Sequence, residues 1–166
     1  NHTVKGVPGF DLRNQTEILT LNDSYSTFFY GNETLRIIDN YHNSNQDKPL
    51  SLYVPFQAIH GPLEAPPYAI NENNITNNSY RLSLAGMATV LDQSMGIIFD
   101  KLQNEYKEIW DNLFFWLGGD NGAPSNNHAN SNYPLRGQKF TLWEGGVRHG
   151  SFVGGGLLNE NRRGAE

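Results

Sequence analysis

Four side chains in this sequence stand where chemistry could be done: His60, Asp120, Asn121 and Lys139. Asp120 and Asn121 follow the apolar run Leu113–Leu117 and lie between Gly119 and Gly122. A carboxylate beside a carboxamide offers two hard oxygen donors, which suits calcium or magnesium. Neighbouring side chains on a strand point to opposite faces, so both reach one ion only if the backbone bends, as the flanking glycines permit. The same Asn-Gly pair is also a common turn signal. His60 follows a second apolar run and precedes Gly61-Pro62. An imidazole there can donate to an anion or protonate a leaving oxygen, and it is equally an ordinary loop histidine. Lys139 closes the stretch Pro134-Leu135-Arg136-Gly137-Gln138-Lys139, just before Trp143-Glu144-Gly145-Gly146-Val147-Arg148. Near a metal its ammonium can bind an anionic ester as a point charge; taken alone it is a solvated surface charge.

The elements that must position these groups follow from apolar periodicity. Ser83 to Tyr106 reads as the clearest helix, with Leu84, Met87, Leu91, Met95, Ile98 and Leu102 recurring at three- and four-residue steps. That places them on one core-facing side. Leu50–Ile59 and Leu113–Leu117 read as short strands, the first interrupted at Pro55, and Phe152-Val153 begins a third apolar run. A shorter helix is expected from Thr34 to Tyr41, with Asn32 as its cap; residues 1–34 read as loop with at most short strands, and 63–79 as loop. Strand, long helix, strand is the order of an α/β protein with a parallel sheet, whose ligands gather at the carboxyl ends of strands. His60 and Asp120 both fall at such ends.

Composition sets outer bounds. The 166 residues are 37% apolar and 17% charged, enough for a globular core, and carry a net charge of -5. No Lys/Arg cluster concentrates enough positive charge to neutralise phosphates, so nucleic acid is not the expected partner. No unbroken apolar run approaches a membrane span, and residues 1–20 show no leader-like apolar block. Cysteine is absent. Asn1, Asn14, Asn22, Asn32, Asn74 and Asn77 each open an Asn-X-Ser/Thr triplet. With 21 Asn and 18 Ser plus Thr, chance supplies about 2 such triplets. The excess points to glycosylation at these six asparagines, hence to the secretory pathway, with a lysosomal or extracellular destination.

Taken in order, three stretches resemble the sulfatase family. They are the run into His60-Gly61-Pro62, the helix containing Ala85-Gly86-Met87, Asp92 and Gly96, and Asp120-Asn121-Gly122 followed by the Pro134–Arg148 segment. The last is the most specific, since Leu-Arg-Gly-X-Lys-X-X-X-Trp-Glu-Gly-Gly-X-Arg after Asp-Asn-Gly is hard to reach by chance. The resemblance looks closest to the arylsulfatase B, I and J group and is strongest over residues 50–153. It implies that residues 1–166 form part of an alkaline-phosphatase-like catalytic domain, a mainly parallel sheet flanked by helices, without its N-terminal strands and C-terminal subdomain.

The resemblance further implies a sulfuric ester hydrolase acting on sulfated sugars or aryl sulfates, with one Ca2+ ion and a formylglycine nucleophile. Carried over by position, Asp120 and Asn121 would ligate calcium. His60 and Lys139 would contact the sulfate, with His60 also a proton donor to the departing alcohol. The early Asp-Asp pair and the Cys-X-Pro-X-Arg source of formylglycine are absent, and Gly119 replaces the hydroxyl residue usual before the metal aspartate. The 166 residues alone are therefore expected to be poorly folded and inactive. Two alternatives stand beside this reading: a phosphodiesterase-type hydrolase of the same superfamily, and a non-catalytic secreted remnant that binds sulfated glycans.

Overall fold

Helix α3, Ser79–Asn104, organises the chain. It is described in a computed structural model that covers residues 2–4, 7–9, 12–20, 24–44, 47–73, 75–125, 130–162 and 164. Asn78 caps α3 by accepting from the Arg81 amide at 3.1 Å, satisfying one of the amides a helix start leaves without a partner. Its buried positions are Gly86, Met87, Val90, Ser94, Ile98 and Leu102. Met87, Ile98 and Leu102 are on the expected stripe, but its centre is turned toward Gly86, Val90 and Ser94. Leu84, Leu91 and Met95 sit at its margin, half-buried. By length and composition α3 could cross a membrane, a test that core helices also pass. Here it is the hub of contacts with three other helices.

The first of these, α1, spans Ser26–Asn43 and buries Thr27, Gly31, Thr34 and Ile38, one helical face. Gly31 lets the two backbones approach: a Cβ there would lie 3.3 Å from the Cβ of Ser94. Helix α2, Pro67–Glu72, opens on proline, whose missing N–H costs nothing at a helix start. It buries Ala69 completely and sets Ile70 against Gly86 of α3, where a Cβ would lie 3.2 Å from the Ile70 amide nitrogen. Asn73 ties its end to α3 through Thr89 Oγ1 at 2.9 Å, and the Tyr68 hydroxyl donates to Gln93 at 2.8 Å. Helix α4, Lys107–Asp111, closes the far end. There Ile38, Ile98 and Leu102 form a core with Leu35, Phe99, Trp110 and Leu113 against them.

A polar layer covers this junction. Lys101 Nζ lies 2.9 Å from Asp39, and the Tyr106 hydroxyl donates to the same carboxylate at 2.9 Å. His42 stacks on the Tyr106 ring at 4.0 Å and meets Glu108 at 2.8 Å. The Lys101 hydrogen bond holds the Asp39 carboxyl below the usual range. Hydrogen bonding to Asp39 raises both Lys101 and Tyr106.

Among the described residues the strands form three separate antiparallel pairs. Strand β1, His2–Val4, pairs with β2, Val7–Gly9. Strand β3, Arg13–Asn14, pairs with β4, Glu17–Ile18. Strand β5, Phe115–Gly118, pairs with β6, Ser151–Gly154, and its Phe115 ring packs on Phe99 of α3 at 4.5 Å.

Several sequence expectations change here. Among the described residues there is no parallel sheet. Leu50–Ile59 pairs with no strand among the described residues, so it is not a strand. Pro55 removes one donor, the Phe56 amide turns back to the Val54 carbonyl, and the segment ends in a turn closed by the His60 amide on the Gln57 carbonyl. Helix α1 begins eight residues before Thr34, so Asn32 is an exposed position inside it and caps nothing. The long helix is shifted to 79–104, and α2 occupies part of the expected 63–79 loop. Within 1–34 the described residues hold the short strands that reading allowed, and they depart from it where α1 begins at Ser26.

Candidate functional site

Strand β5 delivers the chain to Asp120 and Asn121, and the loop beyond is held by the 132–147 segment. The side chain of Asn132 accepts from the Ala123 amide at 2.9 Å and donates to the Ala123 carbonyl at 2.8 Å. It also reaches the Gly137 carbonyl at 3.3 Å. The Lys139 amide donates to the Ala123 carbonyl at 3.1 Å, and the Gly122 amide to the Gly146 carbonyl at 2.9 Å. The Ser125 amide donates to Gln138 Oε1 at 2.7 Å. The Lys139 backbone is thus tied to Ala123, two positions after Asn121.

Helix α5, Glu144–Val147, carries the two glycines of the Trp-Glu-Gly-Gly motif, and both are buried. A Cβ on Gly145 would lie 2.3 Å from the Gly137 carbonyl oxygen, and one on Gly146 would lie 2.2 Å from that of Thr141. The motif therefore encodes a close backbone approach. Arg136 stacks its guanidinium 3.7 Å over Trp143, which fixes the outer side of the loop without placing that charge in the site.

His60 arrives from the other end of the chain. Its Nδ1 lies 2.8 Å from the Gly61 carbonyl, and its Nε2 lies 3.2 Å from Lys139 Nζ. A carbonyl only accepts and an ammonium only donates, so in the neutral ring this network sets the proton on Nδ1. The Nε2 lone pair then faces Lys139. His60 is exposed and Lys139 half-buried, so an anion can reach both.

Asp120 and Asn121 form the second pair. The Asn121 amide donates to Asp120 Oδ1, so the backbone bend required for both side chains to share one side is present. The donor set fits one edge of an oxygen-ligated cation: a carboxylate and, with the amide turned over, a carboxamide oxygen. Calcium takes 6–8 oxygens, so the pair is part of a shell. No group of three or more His, Asp or Glu side chains gathers among the described residues.

The structure brings His60 and Lys139 into contact, and Asp120 and Asn121 into contact, on adjoining loops. Two surface depressions lie away from all four, one beside Trp110 and Leu157 and the other beside Leu35 and Ile97. Of the six candidate glycosylation sites, Asn14, Asn32 and Asn77 are exposed; Asn1, Asn22 and Asn74 lie outside the described residues.

Two residues that matter here were not singled out from the sequence as part of the site. One is Asn132, whose only sequence signal is a carboxamide ahead of Tyr133-Pro134 in a polar loop. The other is His149. A Cβ on Gly119 would lie 3.4 Å from its Cβ and Cγ, ordinary van der Waals contact, so the imidazole lies beside the residue that precedes Asp120.

Comparison with known proteins gives a consistent answer. A family model described as Sulfatase matches residues 1–155. Arylsulfatase J of Mus musculus is 34% identical over 155 residues, covering 92% of this chain and 25% of that protein. The chain thus spans about a quarter of the length of the curated relative it matches. The crystal structure of Ps i-CgsB in complex with k-i-k-neocarrahexaose superposes with a TM-score of 0.69 at 25% identity, covering 83% of this chain and 29% of that one. A structure of Ps i-CgsB without that oligosaccharide in its description gives the same TM-score at 24% identity.

Proposed function

The chain belongs to the sulfatase family, and from that premise we propose that the full-length polypeptide hydrolyses sulfate esters of sugars or aryl alcohols. In this reading the present segment supplies the sulfate contacts His60 and Lys139 and the metal ligands Asp120 and Asn121. The observation that carries it is the 3.2 Å approach of Lys139 Nζ to His60 Nε2, made between residues 79 positions apart. An ammonium and an imidazole meeting at one exposed point form a receptor for a tetrahedral anion. The likeness to a structure holding a carbohydrate oligomer supports a sugar as the alcohol.

Lys139 neutralises the bound ester's charge, and the Ala123 bond to its amide keeps it in place. His60 is oriented by the Gly61 carbonyl, so Nε2 is the ring atom that faces the ester, and it would protonate a departing alcohol oxygen only after taking up a proton itself. One calcium ion, held in part by Asp120 and Asn121, would supply Lewis-acid polarisation of the sulfate oxygens. The family's formylglycine has no source in these residues, which contain no cysteine. The nucleophile and the remaining calcium ligands then belong to polypeptide beyond them, and the 166 residues alone are inactive. Exposure of Asn14, Asn32 and Asn77 supports glycosylation and a secretory, lysosomal or extracellular, location.

The test is kinetic, in the full-length polypeptide. Lys139→Ala lowers kcat/KM for every sulfate ester by roughly 10²–10³-fold, the scale of losing one charge-stabilising donor. His60→Ala costs less with p-nitrophenyl sulfate, whose leaving group needs no proton, than with a sugar sulfate. Unchanged rates in Lys139→Ala would reject the assignment.

A further inference from the structure

Phe140 breaks two rules of surface chemistry at once. Its side chain is 93% exposed, and its φ is +74°. It occupies the third position of the turn Gln138–Thr141, closed by the Thr141 amide to the Gln138 carbonyl at 3.0 Å. A positive φ at that position is the place glycine ordinarily takes, and for a bulky side chain it is a true outlier, costing about 1–3 kcal/mol. The cost is sustained because the surrounding bonds over-determine the turn. Thr141 Oγ1 donates to the Gln138 carbonyl at 2.7 Å and accepts from the Gln138 amide at 3.1 Å. An aromatic ring held out of the core at a strained position must be compensated by what it touches.

What it touches is set by its neighbour. The Phe140 ring lies 5.5 Å from Lys139 Nζ, the ammonium that also meets His60. An anionic ester seated on that ammonium carries its alcohol half outward, and the ring stands beside that path. From this juxtaposition we propose that Phe140 is a specificity-determining contact. It offers an apolar face to the alcohol half of the ester and selects alcohols that present a ring face, a flat aryl ring or the C–H face of a pyranose chair, over small acyclic ones. The proposal rests on the sulfate-site reading above and adds the selection rule.

Two non-hydrolysable probes test it in the full-length polypeptide with calcium present: benzenesulfonate and methanesulfonate, which share charge and anionic group and differ in the ring. Wild-type protein binds benzenesulfonate more tightly by roughly three- to tenfold, the scale of one aromatic contact. Phe140→Gly removes the ring and suits the backbone, so folding is preserved; it abolishes the preference and leaves methanesulfonate affinity unchanged. Phe140→Tyr restores the preference. Equal binding of the two probes by wild type, a preference surviving in Phe140→Gly, or no binding of either probe would overturn the proposal. Lys139→Ala separates the premise. If methanesulfonate binding survives that change while the ring preference still depends on Phe140, the anion-site reading fails and the aromatic contact stands.

Discussion

Asn132 joins three backbone groups from two loops with a single carboxamide, and its loss is felt at Lys139 rather than at itself. Asn132→Ala leaves the part-buried Ala123 amide and carbonyl without their side-chain partner, at a cost of roughly 1–3 kcal/mol. The expected outcome in the full-length polypeptide is a lower denaturant midpoint together with a reduced kcat/KM. Asn132→Asp recovers only the accepting half of the clamp and does not restore activity. Residue chemistry was the most legible level of this sequence. The paired glycines of Trp-Glu-Gly-Gly mark a backbone contact too tight for any Cβ, and Asp120-Asn121 marks the bend that lets two donors share a side. Asn132 and His149 were not legible as site residues. A carboxamide in a polar loop and a histidine after an arginine acquire meaning only from what the fold sets against them.

At the scale of elements, the α1–α3 contact carries an unpaired group. Ser94 Oγ is buried and finds no hydrogen-bond partner among the described residues. Ser94→Ala removes that group and is neutral to stabilising by about 1 kcal/mol. Ser94→Val forces a larger side chain against Gly31 and costs about 1–3 kcal/mol. Chemical denaturation of the two variants checks both signs. The polar layer where α1, α3 and α4 meet gives a pH dependence. Asp39 has its folded pKa depressed, so its contribution is present above the unfolded value and is lost as pH falls through the folded one. Lys101 and Tyr106 are raised, so the folded state holds their protons more firmly and the junction weakens as pH climbs past their ordinary values. Asp39→Asn therefore flattens the acid limb of a stability–pH curve. Helix α3 could be read from its period, since six apolar residues at three- and four-residue steps admit one face. The strand expected at Leu50–Ile59 could not be settled that way. Apolar β-formers specify an extended chain, but a strand also needs a neighbour, and none pairs with this segment among the described residues.

For the whole molecule, the open question is what closes its surfaces. Tyr53 is 88% exposed in the unpaired segment, and Phe114, Trp116, Phe152 and Val153 stay largely exposed in and beside the β5–β6 pair. An edge of unpaired amides beside apolar side chains invites association. The isolated 166 residues are expected to give a broad, weakly cooperative melt and no sulfate release from p-nitrophenyl sulfate. Calorimetry and a chromogenic assay check the two outcomes. The contact between His60 and Lys139 also has a consequence in time. Drawing together two points 79 residues apart costs on the order of 4 kcal/mol of chain entropy before any binding energy is gained, whereas the helices between them form from near neighbours within microseconds. The His60–Lys139 contact is then a late arrival in folding, and a lesion in α3 is expected to delay its assembly before it alters its shape.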